Sequence, residues 1–112
     1  MSEITTHVLD TSRGLPAVGF QVELQFKSGD SWKTLGSART DGNGRCTGLL
    51  GASPLEKGTY RLLFNAGDYY KELHVDTFYS EISIVFEVTN ADAHYHVPLL
   101  INPFGYSTYR GS

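Results

Sequence analysis

Few residues in this chain can do chemistry, and four of them are histidines: His7, His74, His94 and His96. Imidazole titrates nearest neutrality of all side chains, so it serves as general base, general acid or metal ligand. His94 and His96 are two residues apart, which on an extended strand turns both to one face. Tyr95, Val97, Leu99 and Ile101 hold the opposite phase and form the expected core face. His96 therefore faces away from the core, towards solvent or a subunit interface. A His-x-His pair on a strand binds zinc when a third ligand arrives from elsewhere. Here Cys46 sits beside Arg45 and no carboxylate lies close in the same segment, so no metal centre is expected. His7 lies on a first strand and shares a face with Thr5 and Leu9; taken alone, such a histidine is more often structural than catalytic. His74 reads as a surface residue after a helix.

The run Asp41-Gly42-Asn43-Gly44-Arg45 begins like a calcium loop, but Arg45 stands where a third oxygen ligand belongs and would repel a cation. Arg45 is then either a solvated residue after a turn or a planar donor fork for carbonyl or anionic oxygens. Gly105-Tyr106-Ser107-Thr108-Tyr109 lacks the last glycine of a nucleophile elbow, and no strand-to-helix turn follows, which argues against a serine-hydrolase triad. Phosphate-loop and dinucleotide fingerprints are absent from the sequence. The segment from Pro103 to Ser112 is aromatic where tails ordinarily fray and are polar or small, so it is expected to pack against something. An edge strand closing a sheet accounts for those aromatics.

The elements that must position these groups are strands. In Phe20-Gln21-Val22-Glu23-Leu24-Gln25-Phe26-Lys27 every even position is apolar and every odd one polar, a strict period of two. The pattern returns at Tyr60, Leu62 and Phe64, at Ile82, Ile84, Phe86 and Val88, and from Tyr95 to Ile101. A first strand is expected from about Ile4 to Asp10. Turn signals separate the runs at 12–16, at Lys27-Ser28-Gly29-Asp30, at Asp41-Gly42-Asn43-Gly44 and at Glu56-Lys57-Gly58. One stretch breaks the rhythm, and a short helix is expected from Asp68 to Val75 with Asp68 as its cap. Residues 1–112 thus read as one all-β domain, a sandwich of two sheets with one short helix.

Composition narrows the function classes. The chain has 112 residues, 40% of them hydrophobic and 19% charged, which excludes disorder, collagen and coiled coil. A single cysteine forms no internal disulfide and suits a reducing compartment. Val97 to Ile101, the longest uncharged apolar run near either end, is far short of the roughly 20 residues of a membrane helix, and no membrane role is expected. A net charge of −3 without a basic run argues against nucleic acid. Met1-Ser2-Glu3 shows no secretory pattern, and Arg110-Gly111-Ser112 is not the Ser-Lys-Leu peroxisomal address. The cytoplasm is the expected location, with the peroxisome left open.

Two longer motifs carry a resemblance. His7-Val8-Leu9-Asp10, Gly14-Leu15-Pro16-Ala17 and Val22 resemble the amino-terminal signature of the transthyretin family. Tyr95-His96-Val97-Pro98-Leu99-Leu100, then Pro103-Phe104-Gly105-Tyr106-Ser107, resemble its carboxyl-terminal one. The closing Tyr109-Arg110-Gly111-Ser112 resembles the mark of the family's enzyme branch, the 5-hydroxyisourate hydrolases, which the hormone carriers lack. Ile101-Asn102 departs from the family's more usual Leu-Ser.

The resemblance implies a transthyretin-like sandwich of two four-stranded sheets, about eight strands in all, with one short helix. It also implies a homotetramer, a dimer of dimers with active sites in the channel between dimers. The implied activity is hydrolysis of 5-hydroxyisourate to 2-oxo-4-hydroxy-4-carboxy-5-ureidoimidazoline in urate catabolism, with no metal or cofactor. His7, Arg45 and His96 match the catalytic residues, one histidine acting as general base and Arg45 stabilising the oxyanion. His7, Arg45, Tyr109, Arg110 and Ser112 match the substrate-binding set. Which histidine takes the proton stays open at this point. The competing reading is a transthyretin-like carrier that binds a small aromatic ligand in the same channel. Against it, His7, Arg45, His96 and Arg110 make a wet, positive slot that suits an apolar hormone poorly. A plain structural or adhesive sandwich would instead be a monomer with a dispensable tail.

Overall fold

The alternation of apolar and polar residues becomes two facing sheets in the computed structural model, which describes residues 3–112. The strands are β1 (Ile4–Asp10), β2 (Leu15–Pro16), β3 (Gln21–Ser28), β4 (Ser31–Arg39), β5 (Arg45–Cys46), β6 (Gly58–Phe64), β7 (Ile82–Val88), β8 (Tyr95–Asn102) and β9 (Gly105–Thr108). One sheet runs β4-β3-β6-β7; the other runs β2-β1-β8-β9, with β5 paired to β1. Nine strands stand where the resemblance implies about eight in two four-stranded sheets, and the extra one falls in the sheet of β1, to which the two-residue pieces β2 and β5 both attach. The fold is a transthyretin-like sandwich.

The core lies between the sheets. Phe20, Val22, Leu24, Tyr60, Leu62, Phe64 and Ile82 come from one side, and Ile4, Val8, Tyr95, Leu99 and Ile101 from the other. These are the even phase of the period-two runs in the first sheet and the expected inward phase of β8 in the second. Each fully buried side chain of this size contributes about 1.5–3 kcal/mol.

The helix differs from expectation. It spans Ala66–Glu72, and its cap is Asn65, not Asp68. The Asn65 side-chain oxygen accepts the Asp68 amide at 3.0 Å, and its Nδ2 donates to the Asp68 carboxylate at 2.8 Å. Asp68 thus completes a reciprocal cap from inside the first turn. The helix stops three residues earlier than its apolar pattern suggests because His74 adopts φ 58°. With His74 left-handed, the Val75 amide reaches Tyr70 O and the His74 amide reaches Lys71 O, a Schellman closure. His74 is exposed, as expected. Tyr69 pins the helix to the sheet by donating its hydroxyl to the buried Asp10 carboxylate at 2.9 Å.

The turn before β5 sets the site. Asp41 Oδ1 accepts the amides of Asn43 and Arg45, which hold its carboxyl below the usual carboxylate range. Gly44 follows at φ +76°, and its carbonyl accepts the Val8 amide at 2.8 Å. A Cβ at Gly44 would lie 2.6 Å from Val8 O and 3.0 Å from Pro16 Cβ. Only glycine lets the turn lie this close to β1. Gly44→Ala is therefore expected to destabilise the protein by about 1–3 kcal/mol, read as a lower urea midpoint with unchanged slope. A wild-type midpoint would show that the turn yields freely.

Candidate active site

Register, more than any single residue, builds the site. β1 pairs parallel with β8, placing Thr5 opposite His96 and His7 opposite Pro98. On its other edge β1 pairs antiparallel with β5, placing His7 opposite Arg45 and Thr6 opposite Cys46. Because side chains alternate along a strand, Thr5, His7, Arg45 and His96 share the outer face while Thr6 and Cys46 point inward. Cys46 is buried in the core, and burial pushes its thiol pKa up, so it stands on the wrong side of the sheet to join the histidines. Among the described residues no group of three or more His, Cys, Asp or Glu side chains is arranged to hold a metal ion.

The carboxyl-terminal segment closes the cleft. β9 pairs antiparallel with β8, and Thr108 Oγ1 donates to Pro98 O at 2.7 Å. Three residues on, the Gly111 amide donates to His96 O at 2.8 Å. A Cβ on Gly111 would lie 2.6 Å from His96 Cδ2 and 3.2 Å from Pro98 Cγ, so this contact also requires glycine. The result is an open, polar cleft of about 470 Å³ lined by His7, Arg45, His96, Tyr109 and Ser112. Arg110 alone of the candidate residues lies outside the cleft. Its guanidinium sits 4.6 Å from the centre of the Tyr95 ring, beside Phe86 and Val97.

Sequence reasoning did not assign the remaining lining residues, which include Thr5, Thr47, His94, Pro98 and Gly111. Thr5 and His94 were in reach, since each lies two residues from a candidate histidine and so shares its face. What put them together is the pairing of β1 with β8. Thr5 Oγ1 lies 2.8 Å from His96 Nδ1 and 3.3 Å from His94 Nε2.

Electrostatics favour the neutral ring. Burial lowers the His96 pKa from its ordinary 6.5, and the positive charges of Arg45, His7 and His94 lower it further. A neutral imidazole beside an arginine fork, on the wall of a concave polar cleft, can activate water and stabilise an oxyanion.

An outward-facing imidazole and guanidinium site, carried on a transthyretin-like sandwich and closed by the segment that follows β9, defines the class. The chain belongs to the HIUase/Transthyretin family, whose model matches residues 4–111. It is 43% identical over 113 residues to a 5-hydroxyisourate hydrolase of Mus musculus, covering 99% of this chain and 96% of that one. The solved 5-hydroxyisourate hydrolase of Klebsiella pneumoniae superposes with a TM-score of 0.87 at 36% identity, covering 100% of both chains. Sea bream transthyretin in complex with thyroxine superposes with a TM-score of 0.90 at 25% identity, covering 97% of this chain and 94% of that one.

Gly111→Ala is expected to displace the His96 ring and break its contact with Thr5. Imidazole nitrogen NMR would show a changed His96 environment while the sandwich stays folded. Unchanged His96 signals would show that the tail does not hold the ring.

Proposed function

We propose that this chain hydrolyses 5-hydroxyisourate to 2-oxo-4-hydroxy-4-carboxy-5-ureidoimidazoline in urate catabolism. The observation that carries the reading is the convergence of His7, Arg45 and His96 on one cleft wall, with Tyr109 and Ser112 closing it. The product's new carboxyl group requires water to attack a ring carbonyl and the adjacent C–N bond to break. A neutral imidazole takes the water proton, and such general-base help is worth about 10²–10⁴-fold. Arg45 donates to the oxygen that becomes negative at the tetrahedral stage. Tyr109 flanks the flat ring, and Arg110 fixes the segment that carries Tyr109 and Ser112.

The working form in this reading is a homotetramer built as a dimer of dimers. Two observations support it. β7 and β9 are unpaired sheet edges that present Val85 and Tyr106 to solvent. The cleft is also open on the side away from its sheet, where a second copy would turn it into a channel. The same reading puts the protein in the cytoplasm, which suits the buried free thiol of Cys46. No helix among the described residues is long and apolar enough to cross a membrane.

With 5-hydroxyisourate generated in the cuvette by urate oxidase, wild type should accelerate decay of the intermediate above the spontaneous rate. His96→Ala and Arg45→Ala should each lower kcat/KM by about 100-fold or more with little change in Tm. If the intact tetramer, verified by light scattering, does not exceed the blank, a carrier of small aromatic ligands becomes the better reading.

The pH profile gives a separate test. The lowered His96 pKa keeps the ring neutral, and so basic, to more acid pH than a free imidazole. The acid limb of kcat/KM should therefore lie below pH 6.5, the ordinary value. A limb at or above 6.5 would mean that another group controls the reaction.

A further inference from the structure

We propose that His96 is the general base, that Thr5 is its positioning residue, and that His94 is the outer end of a hydroxyl-bridged proton relay, His96–Thr5–His94. This deepens the hydrolase reading and rests on it. Two imidazole nitrogens converge on one hydroxyl: His96 Nδ1 at 2.8 Å and His94 Nε2 at 3.3 Å. Thr5 as a residue retains only 7% of its exposure, so its side chain is held in place at the base of the cleft. The adjacent Thr6 spends its hydroxyl on the Val97 carbonyl in the core, whereas the partners of the Thr5 hydroxyl, among the described residues, are the two imidazoles.

A hydroxyl has one proton to give and lone pairs to accept. When His96 Nδ1–H donates to Thr5 Oγ1 and Thr5 O–H donates to His94 Nε2, His96 Nε2 keeps its lone pair, the form a base requires. This is the base-plus-orienter logic of catalytic triads, with a threonine holding the ring. His7 makes no such side-chain hydrogen bond among the described residues, and its ring is not tethered this way.

The proton path balances. Water gives a proton to His96 Nε2 as its oxygen bonds to the ring carbonyl carbon, and the carbonyl electron pair moves onto oxygen. The proton on His96 Nδ1 passes to Thr5 Oγ1 as the Thr5 proton passes to His94 Nε2. The positive charge then rests on His94, which is exposed to solvent, whereas His96 is half-buried and shares its wall with Arg45 of β5, His7 of β1 and Tyr109 from the tail. When the C–N bond breaks, the shifts reverse, and His96 Nε2 delivers the proton to the departing ring nitrogen. Relief of the imidazolium explains why a half-buried ring among cations is usable as a base.

Kinetics and NMR test this together. Thr5→Val removes the hydroxyl at nearly constant shape and should lower kcat by about 10-fold or more with KM little changed; Thr5→Ser should restore it. His94→Phe should give a similar kcat loss, and the double variant Thr5→Val/His94→Phe should be no worse than either single one, since both break one relay. Imidazole nitrogen NMR on the resting wild type should show His96 protonated at Nδ1, and in Thr5→Val a mixture of tautomers. A wild-type kcat in His94→Phe, or a neutral His96 protonated at Nε2 in wild type, overturns the relay. If wild type does not act on 5-hydroxyisourate, the hydrolase reading falls, and the NMR result alone decides the pairing.

Discussion

The parallel ladder between β1 and β8 is the interaction on which the rest of this structure depends. It joins residues 91 positions apart in the chain, Thr5 with His96, and every site residue is placed from it. A slip of one residue would turn each strand's core face outward. Four of the side chains so displaced, Ile4, Val8, Leu99 and Ile101, are essentially fully buried. Losing them would cost about 6–12 kcal/mol at 1.5–3 kcal/mol each, comparable to the whole stability of a small domain. The hydrophobic core therefore fixes the register that brings the cleft residues together. The second ladder, β1 to β5, is only two residues long and needs help. The Asp41 turn and the glycine at 44 supply it, holding Arg45 beside His7.

On the outer face the balance reverses. Burial works against protonation of His96, and Arg45, His7 and His94 gathered on the same wall add to this. The arrangement spends nothing on mutual attraction; it keeps the His96 imidazole neutral beside one permanent cation, Arg45, which is what the proposed hydrolysis would use. The tail is held by contacts of a different kind. Arg110 stacks on Tyr95, a type of contact worth about 0.5–2 kcal/mol, and Thr108 bonds the Pro98 carbonyl. These contacts let Gly111 press against His96 without a side chain, so the end of the chain shapes the cleft while its own stability comes from the core edge.

Much of this was legible from the residues. Period-two alternation assigned the inward faces of β3, β6, β7 and β8, and with them the outward direction of His96. The terminal motif pointed to Tyr109 and Ser112 as part of the cleft. What periodicity does not carry is pairing. Nothing local in Ile4-Thr5-Thr6-His7 says that β8 will lie alongside it in parallel, so the face that Thr5 shares with His7 is legible but its contact with His96 is not. The helix boundary moved for a similar reason: Asn65 and Asp68 are both good caps, and the choice was made by which of them reaches the free amides once Tyr69 and Tyr70 are buried. Arg110 faces Tyr95 while its neighbours Tyr109 and Gly111 line the cleft, a division that no local pattern beyond the end of β9 announces.

Backbone shape does not separate the two activities this sandwich supports in its solved relatives. The chain superposes as well on a thyroxine-bound transthyretin, at 0.90, as on a 5-hydroxyisourate hydrolase, at 0.87. Fold is thus silent on function, and the side chains of the outer face must speak for it. An apolar ligand seated on this face would strip water from Arg45 and three imidazoles while offering few acceptors in return, and each unpaired polar group so buried costs about 1–3 kcal/mol. A flat, oxygen-rich ring meets the same groups with carbonyl acceptors and carries its own electrophilic carbon. The polarity that penalises a hormone is the polarity that the proposed ring-opening hydrolysis would use, and both arguments rest on the same outer face of β1, β5 and β8.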